Sequence, residues 1–450
     1  MSQIANKVMS KETVLNVGFD DTDSPKGMCT TFLAYKIVDL LKKQKTEFLD
    51  FPRLIRFNPN IPWKTRGNGA VSMKIKTKNP TKIKNQIKNL VSKYSDTKNG
   101  ANPGLVFFES DTIPSEFTKF SKLALWQLIN RKNAKEFAKK NNLEIYYQGN
   151  GQGLVGAIGA IGYDFQDHTL ELLSYRKKPK FGKERKISTD SVKNMQEKTF
   201  PDTFNSFDTK KGRILITPHG PDPVFYGVRG ENVDSLVYAT KILKTSEKLD
   251  GYMIFKSNQG TGDHLKNELN FENMKPYASG KITGIISNNP KIVKGGHVFF
   301  KITSNNHEFW CAVYKPTGMT NTASSLLKGD KISVGGGVRK ASKNYPRVIN
   351  LEFLEIISLV KNIIMSNPQC KKCNKKMKSK GVNQGFQCIL CGNKASKKIP
   401  IEISRKIKKQ LYLPKISAHR HLSRPFQRIG VNNESSKFNK STSWFCIYRN

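Results

Sequence analysis

Four cysteines near the C-terminal end have the residue type and the spacing of a metal site. Cys370 and Cys373 form one C-x-x-C pair, and Cys388 and Cys391 form a second pair after a gap of 14 residues. Two short turns at this spacing can place four thiolates at the corners of a tetrahedron, as structural zinc requires. The spacing therefore predicts a zinc ribbon with a structural, not catalytic, zinc ion.

A second group with possible chemistry lies near the N-terminus. Asp20, Asp21 and Asp23 follow a predicted strand at Val14–Phe19, and carboxylates this close repel one another unless a cation offsets them. Such oxygen ligands suit magnesium, which binds few carboxylates together with substrate phosphates. The next segment, Lys26–Thr31, enters a helix whose free N–H groups favour phosphate. The pattern favours a nucleotide and magnesium site, with a solvated acidic turn as the alternative and no Walker loop in the sequence.

Polar loops follow other predicted strands. Arg66–Gly69 contains glycines that allow a ligand to approach the backbone, and prolines stiffen the loop His219–Pro223. Ser257–His264 surrounds two glycines with polar side chains. Plain tight turns would look similar. The candidate site residues in these loops are Arg66, Asn68, His219, Asp222, Asn258, Gln259 and His264.

The chain is strongly basic. It carries 77 Lys and Arg against 35 Asp and Glu, a formal net charge of +42 over 450 residues. A charge this large opposes compaction unless a polyanion neutralises it, and nucleic-acid phosphates are the usual polyanion. A membrane surface is the alternative, but no basic amphipathic helix or lipidation signal stands out. The charge therefore favours a nucleic-acid partner.

Several features predict a cytoplasmic protein. No run of about 18 apolar residues could span a membrane, and Met1–Thr13 is polar, unlike a secretory signal. Cys29, Cys311 and Cys446 stand far apart and unpaired in the sequence, which argues for a reducing compartment. No sequence feature specifies an oligomeric state.

The elements around the aspartates follow the order β-α-β-β-α-β, which is a ferredoxin-like split unit. Apolar residues of the first helix recur at helical spacing on one face. Strands and helices are predicted at Val14–Phe19, Cys29–Lys43, Phe51–Phe57, Ala70–Ile75, Thr81–Lys93, Leu105–Phe108, Ser115–Asn130, Asn133–Asn141 and Leu143–Tyr147.

The next region is also predicted to be α+β. It opens with the glycine-rich segment Gly149–Gly162, which could cradle a phosphate or form a close-packed helix. The lysine-rich run Arg176–Lys186 is predicted to be an exposed loop. Strands are predicted at Thr169–Tyr175, Arg213–Thr217, Val224–Arg229 and Gly251–Phe255, with a helix at Val233–Leu243.

From Tyr277 the pattern changes to short strands separated by Gly, Asn and Pro turns. Five such strands fit a Greek-key barrel of the OB type, which typically binds single-stranded nucleic acid, with a β-sandwich as the alternative. They are predicted at Gly280–Ile286, His297–Ile302, Glu308–Tyr314, Lys331–Val334 and Arg347–Phe353.

The tail after the ribbon is rich in Lys and Arg interleaved with aromatic and histidine residues. This composition fits neutralisation of a phosphate backbone together with base stacking, and a solvated disordered tail is the alternative. The interleaved residues are Tyr412, His419, His421, Phe426, Trp444 and Tyr448.

These motifs, in this order, resemble one family: the archaeal agmatidine synthetases, which attach agmatine to the wobble cytidine of the AUA-decoding isoleucine tRNA. The resemblance covers nearly the whole chain, and its first and third motifs are long enough to be specific. The matching stretches are Gly18–Ala34, Arg66–Val71, His219–Glu231, Ser257–His264, Gly295–Val298, the two C-x-x-C pairs and Ala418–Pro425.

The resemblance implies a multidomain α+β architecture. Its parts would be an ATP-binding kinase-like domain at 1–145, a ferredoxin-like domain at 146–270, an OB-fold barrel at 275–360, a zinc ribbon at 366–397 and a basic tail at 398–450.

The resemblance also implies an ATP-dependent ligase that forms a carbon–nitrogen bond. Phosphorylation of the C2 oxygen of the cytidine would let the amine of agmatine displace phosphate, with ATP ending as AMP and phosphates. By residue match, Asp20, Asp21 and Asp23 would bind magnesium and the phosphates, and Thr30 matches a threonine that becomes phosphorylated. Arg66 and Asn68 are further catalytic candidates.

The expected substrate-binding residues are His219, Asp222, Asn258, Gln259 and His264, with Asp222 as a guanidinium partner for agmatine. One position departs from the family pattern, because an acidic residue is expected where Gly262 stands, and Asp263 follows it. Two alternatives remain at this point. One is a non-catalytic binder of single-stranded RNA or DNA, and the other is an ATP-dependent RNA modifier that uses another amine.

Overall fold

The computed structural model describes residues 12–343, 346–434, 438 and 443–448. The first 11 residues, predicted to be unlike a secretory signal, and the remaining positions of the tail lie outside the described residues. Elements are numbered along the chain.

The first region has the predicted order of elements, with one short strand added. Its second helix begins after Asn79, whose side chain accepts the Lys82 N–H at 3.0 Å, and buries Ile83, Ile87 and Val91 at four-residue spacing. The elements are β1 (Thr13–Asp20), α1 (Thr30–Lys43), β2 (Glu47–Phe48), β3 (Arg53–Arg56), β4 (Gly69–Thr77), α2 (Pro80–Tyr94), β5 (Gly104–Glu109), α3 (Ser115–Trp126), α4 (Arg131–Lys140) and β6 (Glu144–Tyr147).

The second region contains every predicted element, but the strand expected at Arg213–Thr217 shrinks to two residues, and one helix and two short strands between Thr189 and Asp208 were not predicted. The elements are α5 (Leu154–Gly162), β7 (Thr169–Arg176), α6 (Thr189–Thr199), β8 (Thr203–Phe204), β9 (Phe207–Asp208), β10 (Arg213–Ile214), β11 (Val224–Gly230), α7 (Val233–Ile242) and β12 (Leu249–Ser257).

One twisted sheet passes through both regions in the order β6-β5-β1-β4-β3-β12-β7-β11-β8. The two regions join where β3 and β12 pair in parallel, with Leu54 opposite Ser257. Strands β1, β3, β11 and β12 therefore all end at the same edge of the sheet, where β4 and β7 begin. Polar residues at these strand ends meet for this reason.

The glycine-rich segment forms helix α5, packed against strands β1, β4 and β5. A Cβ atom on Gly18 would lie 2.2 Å from Ala157 O, and one on Gly104 would lie 2.1 Å from Leu154 N. These glycines allow backbone to contact backbone, so of the two interpretations of the segment the close-packed helix is confirmed.

The run Arg176–Lys186 was predicted to be an exposed loop, but part of it is buried. Arg176 is buried and forms an ion pair with Glu247 at 2.6 Å. Arg185 donates to the carbonyl oxygens of Gly220 and Asp222 at 2.8 and 2.7 Å. The prediction was wrong for these two arginines because acceptors distant in the sequence satisfy their charge, which sequence spacing does not reveal.

The β-rich region is a closed five-stranded barrel, not a sandwich. Its strands pair in the closed order β13-β17-β18-β16-β15-β13, with β16 and β18 parallel. The elements are β13 (Ser279–Ile286), β14 (Lys291–Val293), β15 (His297–Ser304), β16 (His307–Val313), α8 (Thr320–Ser324), β17 (Lys331–Arg339) and β18 (Val348–Ser358).

The described part of the tail is folded, which excludes the solvated alternative for these residues. The chain leaves the barrel, forms the ribbon, returns along the barrel and finally pairs with β12, where Trp444 is buried. The elements are β19 (Asn362–Ser366), β20 (Lys378–Ser379), β21 (Phe386–Gln387), β22 (Lys394–Ala395), β23 (Ile399–Ile403), β24 (Leu411–Tyr412) and β25 (Phe445–Ile447). Across the described ranges, no helix has the length and apolar character needed to cross a bilayer.

Candidate active site

A cavity of about 580 Å³ lies at the shared sheet edge, between the first and second regions. The C-terminal segment forms part of its wall through His419 and His421. The cavity brings together the predicted residues Asp20, Asp21, Asp23, Thr30, Arg66, Asn68, His219 and Asp222.

The three aspartates form the acidic side of the cavity. Burial, and then the neighbouring carboxylates, raise the pKa of Asp20 well above its usual range. The same causes raise the pKa of Asp21 to about 7. Burial also raises the pKa of Asp23, although Arg66 and Thr65 oppose the shift. Carboxylates crowded in this way favour a bound cation.

Arg66 connects this acidic side to the opposite wall. Its Nη1 lies 3.1 Å from Asp23 Oδ2, and its Nε lies 3.9 Å from Asp222 Oδ2. Nη1 also donates to Met28 O at 2.8 Å. Arg66 and Asn68 both have positive φ, 42° and 51°, which is unusual for residues with a side chain. The loop is held in this conformation where it faces the cavity.

Asp222 and His219 lie on the second region's side. The Val224 N–H donates to Asp222 Oδ1 at 3.1 Å, while Asp222 Oδ2 is buried without a hydrogen-bond partner. Burial raises the pKa of Asp222 despite Arg66 and Arg185. This oxygen makes no hydrogen bond, although Arg66 Nε lies 3.9 Å away, so it is suited to a cationic ligand. His219 Nε2 lies 2.6 Å from Arg213 Nη2.

The floor of the cavity is a cationic pair around one carboxylate. Arg56 Nη2 and Arg229 Nε each lie 3.5 Å from the carboxylate of Glu171. Two guanidinium groups against one carboxylate leave this floor positively charged. Such a group suits the phosphate oxygens of a substrate.

Close packing explains the glycines of the Arg66–Gly69 loop. A Cβ atom on Gly67 would lie 2.5 Å from His421 Cδ2 and 2.7 Å from Arg56 Nη1. One on Gly69 would also lie 2.7 Å from Arg56 Nη1. The glycines let the loop lie directly on Arg56 and His421, so their missing side chains make room for these protein groups as well as for a ligand in the cavity.

Asn258 and Gln259 lie beneath the cavity and do not face it. The Asn258 amide pairs with the Arg56 backbone, accepting from N at 2.8 Å and donating to O at 3.0 Å. Gln259 donates through Nε2 to Glu171, and its Oε1 lies 2.8 Å from His421 Nδ1. These amides hold the floor residues in place, and a direct substrate contact stays a prediction.

His264 lies farther away, at the junction with the barrel. It is buried, and its Nε2 lies 2.9 Å from Glu352 Oε2. Gly262 has a φ of 73°, a conformation that favours glycine over an acidic residue. Asp263 accepts from the Tyr163 hydroxyl and from Lys266, outside the cavity lining.

Thr30 is the first residue of α1, and its side chain is buried. Its hydroxyl oxygen lies 3.1 Å from the Thr22 hydroxyl, which donates to it. The helix start places the free N–H groups of α1 at the same edge of the sheet as the aspartates, which is favourable for phosphate.

Sequence reasoning missed Arg56, Glu171 and Arg229 as site residues. One signal was present, since Glu171 is the only charged residue inside the otherwise apolar and hydroxylic stretch Thr169–Tyr175. A charge on a strand buried on both faces needs a partner. Its partners come from β3 and β11, which only the sheet order reveals.

The cysteine quartet forms the predicted metal site. The four Sγ atoms of Cys370, Cys373, Cys388 and Cys391 all lie within 4.8 Å of one another. Each knuckle closes in the same way, with Asn374 N donating to Cys370 O at 2.8 Å and Gly392 N donating to Cys388 O at 2.9 Å. Asn374 and Gly392 both have positive φ, as the turns require. Four thiol ligands at this separation fit tetrahedral zinc.

Comparison with protein families agrees with this arrangement. The family model of the TiaS TCKD domain matches residues 16–150, and that of the TiaS FLD domain matches 151–264. The TiaS C-terminal zinc ribbon domain matches residues 367–407.

Named relatives match over nearly their whole length. The isoleucine-tRNA 2-agmatinylcytidine synthetase TiaS of Cenarchaeum symbiosum is 46% identical, covering 97% of each chain. Its counterpart from Thermococcus sibiricus is 39% identical, over 91% of this chain and 95% of the relative.

Solved structures share the fold. A complex of TiaS with its isoleucine tRNA and ATP superposes with a TM-score of 0.84 at 33% identity, covering 95% of this chain and 100% of that one. A complex of TiaS with the same tRNA, AMPCPP and agmatine has a TM-score of 0.81 at 31% identity, with the same coverage. The chain therefore belongs to the TiaS family of isoleucine-tRNA 2-agmatinylcytidine synthetases.

Proposed function

We propose that this protein is the ATP-dependent ligase that joins agmatine to C2 of the wobble cytidine of the AUA-decoding isoleucine tRNA. The observation that carries the proposal is one cavity in which the aspartate cluster faces Arg66, Asp222 and a cationic floor. A carbonyl oxygen is a poor leaving group until it is phosphorylated, so the site must bind phosphates and a cationic amine together. Ribbon and barrel then hold the tRNA while one base enters the cavity.

Each part of the cavity has a proposed role. Asp20, Asp21 and Asp23 would hold magnesium, which supplies charge neutralisation for the phosphates when bound. Arg66, which is fixed by Asp23 and Met28 O, would orient the transferring phosphate together with Asn68. Thr30 would accept a phosphate at the start of α1.

Asp222 Oδ2, which is buried and makes no hydrogen bond, would accept one from the guanidinium of agmatine. His219 would line the same subsite. Asn258, Gln259 and His264 remain proposed substrate-binding residues, although the contacts they make are with Arg56, Glu171 and Glu352.

Domain assignments follow the same proposal. The kinase-like and ferredoxin-like domains would meet near residue 145, the barrel of 275–360 would be an OB fold, and 366–397 the ribbon. The closed strand order with parallel β16 and β18 supports the OB assignment. A cytoplasmic location is proposed because the reaction consumes ATP and tRNA.

The test is a mass gain at one nucleoside of the isoleucine tRNA after incubation with ATP, Mg²⁺ and agmatine. Asp21→Ala should abolish the gain while tRNA affinity changes by less than about fivefold, because Asp21 lies on the catalytic side of the cavity. If no natural tRNA gains mass, the ligase proposal fails and the non-catalytic nucleic-acid binder is the remaining hypothesis. If the tRNA gains mass only with a different amine, the protein is the ATP-dependent modifier that uses that amine.

A further inference from the structure

The segment that follows the ribbon crosses from the barrel to the cavity and is anchored there. Arg428 is buried and binds Asp167 at 2.8 Å and Glu231 at 2.7 Å. Arg424 binds the other Asp167 oxygen at 2.6 Å. These anchors lie outside the cavity lining. They fix the segment so that its histidines point inward.

The backbone of the segment is also tied to the loop that follows β12. Gly260 N donates to His421 O at 2.9 Å, and Gly262 N donates to Leu422 O at 2.8 Å. Leu422 is buried against Ile55 and neighbouring apolar residues. His421 is thereby held from both sides at a fixed depth.

The His421 ring touches three separate elements. Its Nδ1 lies 2.9 Å from Arg229 Nη2 at the end of β11 and 2.8 Å from Gln259 Oε1. Its Cδ2 packs under Gly67, where no side chain larger than hydrogen fits. Burial and the nearby Arg56 and Arg229 lower the pKa of His421 well below its usual range, so the ring is neutral. In the tautomer that carries its proton on Nε2, Nδ1 accepts from Arg229, whereas in the other tautomer Nδ1 donates to Gln259 Oε1. The role assigned to His421 is that of the Nε2-protonated tautomer.

Arg229 needs such a partner. Its contact with Glu171 is 3.5 Å and uses Nε, and Glu171 is shared with Arg56. The short contact to His421 therefore fixes which way the guanidinium faces. Without it, Arg229 keeps, among the residues that the structure describes, only the long ion pair with the shared Glu171.

We propose that His421 is a positioning residue for the reaction, because it holds Arg229, beside Arg56, in the orientation that binds phosphate groups of the substrate. The C-terminal segment is then part of the catalytic cavity and not only of the tRNA-holding surface. This inference rests on the proposed function.

The test compares His421→Leu with His421→Asn in the full-length enzyme. Leucine removes the acceptor, whereas the asparagine oxygen can take the place of Nδ1. For His421→Leu we expect kcat to fall at least about tenfold and pyrophosphate binding, measured by calorimetry, to weaken about tenfold. The KM for agmatine should stay within about threefold of the wild-type value. His421→Asn should recover most of both losses. Asn432→Leu, an exposed polar-to-leucine change on the same segment, should behave as wild type.

Wild-type kcat and pyrophosphate binding in His421→Leu would overturn the inference. So would an asparagine variant no better than leucine, or losses that match only the fraction unfolded in thermal melts. If wild-type enzyme forms no product, the proposed function fails, and the pyrophosphate measurement alone decides the role of His421.

Discussion

At the scale of single residues, Gly156 shows how an absent side chain sets the geometry of the site. A Cβ atom here would lie 1.9 Å from Asp20 Oδ2, so alanine must displace the carboxylate. We expect Gly156→Ala to cost about 1–3 kcal/mol of stability through overpacking and to lower kcat by more than about tenfold, on the order of one lost electrostatic contact. Denaturant unfolding and steady-state kinetics measure the two effects.

Gly162→Ala on the same helix is the matched control. Its Cβ would meet Phe117 O at 2.3 Å, away from the cavity. A similar loss of stability with kcat retained is expected there. Equal loss of kcat in both variants would show that helix packing, not Asp20, limits activity.

At the scale of elements, Asp167 anchors the C-terminal segment through Arg424 and Arg428. Burial opposes the shift, but those arginines hold the pKa of Asp167 below its usual range. A lowered carboxyl pKa contributes stability above the unfolded value of about 4 and loses it as pH falls through the folded value. Asp167→Asn removes one of the two carboxylate partners of the buried Arg428 and leaves Glu231, so a destabilisation of about 1.5–3 kcal/mol is expected at neutral pH.

Urea unfolding across pH measures this difference. The difference in unfolding free energy between wild type and Asp167→Asn should have its full size at about pH 6. It should shrink below about pH 4, because wild-type Asp167 then becomes protonated. Asp164→Asn, a change at an exposed position in the same loop, should show no such dependence. A difference between wild type and Asp167→Asn that is constant from about pH 7 to about pH 3 would contradict the anchoring role.

At the scale of the whole molecule, the ribbon joins the rest through the two-stranded β19–β23 pair, distant in the chain from the cavity. We expect Cys373→Ser to release zinc and to weaken tRNA binding by at least about tenfold, since backbone neutralisation spans several domains, while ATP binding is retained. Metal analysis and filter binding measure this. Cys446→Ser should keep zinc, and undiminished tRNA binding in Cys373→Ser would make the ribbon purely structural.

Much of the fold could be predicted because local patterns dominate it. The helical spacing of α1 predicted that helix to within one residue, and the Gly, Asn and Pro turns predicted the barrel strands, although β17 and β18 each end five residues later than predicted. The C-x-x-C pairs predicted the metal site, since knuckle geometry depends only on nearby residues. The burial of Arg176 and the partial burial of Arg185 could not be predicted, because their acceptors are distant in sequence.

By itself the sequence determined the chemical groups: the aspartate cluster, the stiff loop at His219 and Asp222, and the four thiols. Only the tertiary structure decided which of them share one cavity. Parallel pairing of β3 with β12 puts the ends of β1, β3 and β11 at one edge, which brings Asp20, Arg56 and Arg229 together. It also turns Asn258 and Gln259 inward, and the loop after β12 holds the backbone of His421 at the wall. Long-range strand pairing and buried charge fix these positions, and neither leaves a local pattern in the chain.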